Sequence, residues 1–200
     1  MAKISIIWIY HAVGQHKADL AKFCFERLLW TISKDTEIIV VNNCDKDIEY
    51  YKEKADIYIQ SPRNSLGGAR NLGYAKASGD YIAFVDSDVF TMPDWLRMCV
   101  RLINMHPDHK LIASPVYTDS HVWNRRYQAG KLSGHMLNLR SGSPCFVLQR
   151  RDMDVIGAFR EGDGNSGDGG DFIDRQIKAG YKVILTKRQL AFHLGSKKML

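Results

Sequence analysis

No apolar run in the sequence approaches the roughly 20 residues a membrane-spanning helix needs. Prolines number only five and glycines sixteen among 200 residues, which excludes collagen-like and low-complexity chains. Internal repeats and long linkers are missing as well, so a single domain over residues 1–200 is expected. The four cysteines, Cys24, Cys44, Cys99 and Cys145, stand far apart with no CxxC pair. That spacing argues against a zinc site or a disulfide frame and points to reduced thiols in a cytoplasmic protein. The opening run Ile4–Tyr10 is short, is interrupted by Ser5 and leads into a helical pattern; it reads as a first core strand, not an export signal.

What is present is an ordinary apolar share of 45% and a formal net charge of +6, the balance of a folded protein inclined towards acidic partners. Nucleotides, phosphorylated lipids, acidic glycans and nucleic acid all fit that description. The basic residues are dispersed, with only short pairs at Arg125-Arg126, Arg150-Arg151 and Lys187-Arg188. A solvated surface accounts for them as well as a dedicated groove does.

Short β-branched runs alternate with helical spacing. Ile4–Tyr10 and Glu37–Val41 read as buried strands, with Leu20, Phe23, Cys24 and Leu28 as one helix face between them. Ile57–Ile59 reads as a third strand, and Ala69, Leu72 and Gly73 as the face of the next helix. A turn at Gly79-Asp80 enters the strand Tyr81–Val85. Thr91 and Asp94 form a capping-box-like pair, with Pro93 in the first turn, ahead of the face Trp95, Met98, Cys99 and Leu102. Further strands are expected at Leu111–Tyr117, Cys145–Gln149 and Val183–Leu185, and a helix at Asp171–Ala179 stopped by Gly180. Strand–helix alternation of this kind predicts an α/β sandwich with a mostly parallel sheet, whose ligands gather at the carboxyl ends of the strands.

Directly after the Tyr81–Val85 strand stands Asp86-Ser87-Asp88. Two carboxylates one residue apart at a strand end can approach one hard divalent cation, which takes oxygen ligands and completes its shell with substrate phosphates. The triplet alone is common in turns; its place behind a core strand gives it weight.

The stretch Ser65-Leu66-Gly67-Gly68-Ala69-Arg70-Asn71-Leu72-Gly73-Tyr74-Ala75, followed by Gly79-Asp80-Tyr81 and then Asp86-Ser87-Asp88, resembles the signature of family 2-type glycosyltransferases with the GT-A fold. Val155–Glu161 is similar to that family's Gly-Gly-Phe-Asp-Glu segment, and Asp171–Val183 to its acidic helix start with a downstream Arg and Gly-Tyr. The resemblance implies a GT-A-like three-layer sandwich with a mostly parallel central sheet. Residues 1–117 would bind a nucleotide-sugar donor (UDP- or GDP-linked), and residues 118–200 the acceptor. Asp86 would lie near the donor ribose and the metal, Asp88 would be the direct ligand of Mn²⁺ or Mg²⁺, and His193 a further one. Asn43, with Asn42, stands where the family has two aspartates contacting the nucleobase and ribose; an amide still offers a donor and an acceptor. Arg70 would screen the diphosphate or pair with a carboxylate.

Counting seven and six residues back from Arg175 gives Asp168 and Gly169, where the family has a Glu-Asp pair whose Asp is the catalytic base. Asp168 is the preferred base, carried by the Gly-rich run Gly162–Gly170; Asp171 is the second candidate, unless it only caps its helix. Trp123, Arg125, Arg126, Tyr127, His135 and Arg140 in Thr118–Gly142 suit an acceptor site as well as a plain surface loop. The expected activity is metal-dependent transfer of a sugar, with inversion, to the hydroxyl of a glycan, a lipid-linked or another acceptor, a modified nucleic acid base included. Two rivals are a non-catalytic nucleotide-sugar or glycan-binding module, kept open by Gly169, and a nucleotidyltransferase, for which His11–Gln15 is a poor match.

Overall fold

The computed structural model describes residues 3–12, 14–44, 46–62, 65–107, 110–113, 116–117, 144–162, 168–184 and 190–194, with the backbone alone for 116–117, 168–170 and 183–184. Thr118–Gly142, with its aromatic and basic residues, lies outside the described residues.

The first half runs β1 (Ile4–Tyr10), α1 (Gln15–Thr31), β2 (Thr36–Asn42), α2 (Ile48–Lys54), β3 (Ile57–Gln60), α3 (Leu66–Lys76), β4 (Tyr81–Asp86), β5 (Val89–Thr91) and α4 (Trp95–Asn104). The second continues with β6 (Leu111–Ala113), β7 (Val116–Tyr117), β8 (Cys145–Gln149), α5 (Arg150–Ile156), α6 (Asp168–Lys178), β9 (Lys182–Ile184) and β10 (Ala191–His193). Seven strands form one sheet in the order β3-β2-β1-β4-β8-β6-β9, and β5-β10-β7 form a small second sheet. β3, β2, β1 and β4 are parallel in sequence, β8 runs antiparallel to both β4 and β6, and β6 pairs parallel with β9. The expected mostly parallel α/β sandwich is what forms.

Period-two alternation of the central strands feeds two apolar layers. Ile6, Trp8 and Tyr10 of β1, with Ile38 and Val40 of β2, pack against Ala18, Ala21, Cys24, Phe25 and Leu28 of α1 and Trp95 and Cys99 of α4. Ile7 and Ile9, with Ile39 and Val41, meet the opposite layer of Ala69, Met153, Ile156, Phe159 and Phe172. Cys24, Cys99 and Cys145 are buried, and no disulfide joins any of the four cysteines. No helix among the described residues is long and apolar enough to cross a membrane.

Several local expectations give way to tertiary pairing. Leu111–Tyr117 is not one strand: β6 joins the large sheet and β7 the small one. Thr91 does not cap α4, because it is the ladder partner of Ala191 and must stay extended. The N-cap is Asp94, in the left-handed region at φ 68°, with no side-chain capping bond, so Pro93 precedes the helix. Phe23 leaves the buried face of α1; it is 56% exposed and stacks on Phe90 at 5.7 Å. The last helix starts three residues earlier than its apolar spacing suggests, taking in Gly169 and Gly170, and Gly180 ends it at φ 80° as expected.

One polar knot fastens the amino ends of β1, β2 and β4. Ser5 Oγ donates to Glu37 Oε2 and accepts from Gly79 N at 2.7 Å, while Ser78 N and Oγ donate to Glu37 at 2.9 and 2.7 Å. Burial alone would raise the Glu37 pKa, but these bonds and the Lys3 ammonium outweigh it and hold the carboxyl below its ordinary range. A folded-state pKa below the unfolded one stabilises the fold above the unfolded value and loses that contribution as pH falls through the folded value. Urea midpoints of wild type and Glu37→Gln are therefore expected to differ at pH 7 and to converge towards pH 3; a gap that widens on acidification would contradict the assignment.

Candidate functional site

The carboxyl ends of β1, β2 and β4 meet on one edge of the sheet. Asn43 N donates to Tyr10 O at 2.8 Å, which joins the chain leaving β2 to the end of β1. Ser87 Oγ lies 3.4 Å from His11 N and 3.3 Å from His11 O, tying the turn after β4 to the same place. Asn42 is wholly consumed by its loop: Nδ2 donates to Lys46 O and Tyr58 Oη, both at 3.0 Å, and Oδ1 accepts from Cys44 N at 2.9 Å. Asn43 is buried as well, and its backbone carbonyl lies 3.4 Å from His11 Nδ1.

Asp86 closes β4 and Asp88 lies two residues on, in the turn to β5. Arg70 Nη2 donates to Asp86 Oδ1 at 3.0 Å, and the guanidinium rests 5.3 Å above the Phe159 ring. Arg70 is fully buried and pairs with this carboxylate. Burial pushes the Asp86 carboxyl up to about 6, with Asp88 adding to it and Arg70 pulling the other way.

Asp88 and His193 are brought together by the small sheet. His193 pairs with Val89 across the β5–β10 ladder, and Leu194 N donates to Asp88 O at 2.8 Å. His193 Nε2 then lies 3.2 Å from Asp88 Oδ1. Burial opposes ionisation of Asp88, yet the His193 bond, with Lys17 nearby, holds its carboxyl below the usual range.

Among the described residues, no group of three or more His, Cys, Asp or Glu side chains is gathered as a complete metal cage. The Asp88–His193 pair nevertheless suits two neighbouring ligand positions. Donors on adjacent corners of an octahedron with bonds near 2.1 Å stand about 3 Å apart, close to the spacing seen here. A carboxylate and an imidazole also match Mn²⁺-like cations, with phosphate oxygens and water left to complete the shell.

The C-terminal part of the chain beside this edge is braced, and some of it lies outside the described residues. Asp168 begins α6, and its side chain lies outside the described residues. Asp171 lies inside the first turn instead of capping it, and Arg175 Nε donates to it at 3.0 Å. Arg175 also donates to Ile156 O and, at 2.7 Å, to Ala158 O, so this pair fastens the segment after α5 to α6. From the other side Asn71 exchanges two bonds with the Phe159 backbone, at 2.9 and 2.8 Å, and donates to Glu161 Oε1 at 3.1 Å. Sequence reasoning assigned no role to Asn71, Phe159 or Glu161, although all three lie inside its quoted motifs.

A model of the family described as "Glycosyl transferase family 2" matches residues 6–159. Among individual proteins, "Glycosyltransferase GlyA" of Streptococcus pneumoniae is 32% identical over 87 residues, covering 40% of this chain and 12% of that protein. The solved mannosyltransferase PcManGT from Pyrobaculum calidifontis, in complex with GDP-Man and Mn²⁺, superposes with a TM-score of 0.74 at 15% identity, covering 98% of this chain and 58% of that one. TarS 1–349 of S. aureus in complex with UDP-GlcNAc gives 0.65 at 16% identity, covering 98% of this chain and 61% of that one. The chain therefore spans well under two thirds of each of these relatives, and at such identities the solved structures establish the fold.

Proposed function

The chain belongs to glycosyl transferase family 2, and from that membership we propose that it moves a sugar from a nucleotide-sugar donor to an acceptor hydroxyl, with inversion and with a divalent cation. The observation that carries the reading is the paired arrangement at one sheet edge: Asp86 on Arg70 and Asp88 on His193, 3.0 and 3.2 Å apart, beside Asn43. Residues 1–117 hold the donor and residues 118–200 the acceptor.

Asn43 offers its amide to the nucleobase or ribose, and Asp86 stands near the ribose with its carboxylate fixed by Arg70. Asp88 and His193, with Asp86 behind them, hold Mn²⁺ or Mg²⁺. When bound, that cation neutralises the diphosphate so that the nucleotide departs more readily. PcManGT was solved with GDP-Man and Mn²⁺ and TarS with UDP-GlcNAc, which supports a donor of this class here. Asp168 takes the proton of the acceptor hydroxyl as it attacks the anomeric carbon. Asp171, occupied by Arg175, holds the residues at the end of α5 against the helix that Asp168 begins.

A thermal-shift screen of UDP-, GDP-, CMP- and dTDP-sugars, with and without Mn²⁺, tests this on wild type and Asp88→Ala. At a hundredfold excess over Kd, a true donor stabilises the fold by about 2.7 kcal/mol. The expected result is a Mn²⁺-dependent shift with one nucleotide, abolished in Asp88→Ala. No shift with any donor would overturn the reading; a shift with neither hydrolysis nor transfer would favour a binding module.

A further inference from the structure

Around the carboxyl edge of the sheet, carboxylates are mostly matched by cations. Asp86 has Arg70, Asp47 has Lys22 at 2.6 Å, and Asp171 has Arg175. Glu161 is different. It is exposed, forms no ion pair among the described residues, and has one neutral partner, the Asn71 amide on Oε1.

That partner is itself immobilised. Asn71 is locked to the Phe159 backbone by two bonds, the Phe159 ring lies under the Arg70 guanidinium, and Arg70 ends on Asp86. The Glu161 carboxyl carbon also stands over the first turn of α3, 3.7 Å from where a Cβ on Gly68 would lie. Glu161 thus rides on the helix that fixes Asp86, at the end of α3 that faces the site, where the helix dipole favours a negative charge. Its direction is set, and among the described residues no cation pairs with it and Oε2 has no hydrogen-bond donor.

We propose that Glu161 is a sugar-binding carboxylate: Oε2 accepts hydroxyl hydrogens of the transferred sugar, and its uncancelled charge selects neutral sugars over those bearing a carboxylate. The inference rests on the donor reading above, extends the sugar end of the donor site across to Glu161 in the acceptor half, and sharpens it to a substrate class, a neutral hexose or N-acetylhexosamine. Hydroxyl bonds to an ionised acceptor are stronger than those to a neutral one, which makes the contact worth having at an open rim. A uronate would instead meet like charge across the same wall, with only a neutral amide between.

The test compares wild type, E161Q and E161D by titration with Mn²⁺ and UDP, GDP, UDP-glucose, UDP-N-acetylglucosamine, GDP-mannose and UDP-glucuronic acid. For whichever nucleotide binds, E161Q is expected to leave the bare diphosphate unaffected and to weaken the nucleotide sugar about tenfold. Discrimination against the glucuronic acid donor should shrink, and E161D, with charge but less reach, should fall between. Ligand-free melting temperatures equal to wild type are expected, because the side chain is exposed. E161Q that binds the sugar donor as wild type does, or that loses the bare diphosphate equally, overturns this inference while leaving the donor site standing. A wild type that binds no nucleoside diphosphate overturns the donor reading, and this inference with it.

Discussion

Arg70→Met is expected to destabilise the fold by about 3–5 kcal/mol, the cost of removing one member of a buried ion pair. The guanidinium is wholly enclosed, and Asp86, one fifth exposed, has it as its cation at 3.0 Å. Methionine fills much of the same volume, so a cavity contributes little and the loss reports the stranded carboxylate. Without Arg70 the Asp86 pKa should rise further above its present value of about 6. Asp86→Asn alone should cost less, since an amide can still accept from the guanidinium. Urea unfolding of both single variants and the double variant measures the coupling directly. A coupling energy near zero would mean that the pair contributes nothing, and that Arg70 is held by Phe159 instead.

Gly79→Ala should cost about 3 kcal/mol, the upper end of what overpacking does. A Cβ there would sit 2.5 Å from Ser5 N and 2.8 Å from Ile4 C, both backbone atoms of a central strand. Neither can rotate away, and Gly79 N would have to leave Ser5 Oγ as the chains part. Gly162→Ala is the control, for a Cβ there meets nothing within 4 Å among the described residues. Equal melting temperatures for the two variants would show that the strand yields where the geometry says it does not.

Much of the central sheet was legible because its strands are short, largely apolar runs, most of them with turn residues nearby. Ile4–Tyr10 and Cys145–Gln149 are bounded correctly, and β2 to within a residue at either end. The carboxylates after β4 were legible for the same reason: where a buried run ends in Asp-Ser-Asp, the polar side chains must emerge at the sheet edge. The burial of Arg70 was harder to foresee, since an arginine in a helix ordinarily reads as surface. Leu66, Arg70 and Gly73 nevertheless share one stripe of α3, a sign that Arg70 faces inward. Thr91 misled because capping propensity is local, whereas its pairing with Ala191 depends on a strand far along the chain. The division between β6 and β7 had a local sign in Ser114-Pro115, but which sheet each strand joins depends on partners far along the chain.

β10 has a consequence for synthesis. Asp88 leaves the ribosome long before His193, and only the β5–β10 ladder brings the two side chains within reach. The Rossmann-like half from β1 to β4 can pair as it emerges, but a nascent chain that has not reached β10 lacks one of the proposed cation ligands. Cation affinity should therefore appear abruptly and late, as a stamp of completion: truncated or stalled chains would form the sheet edge without the proposed cation pair.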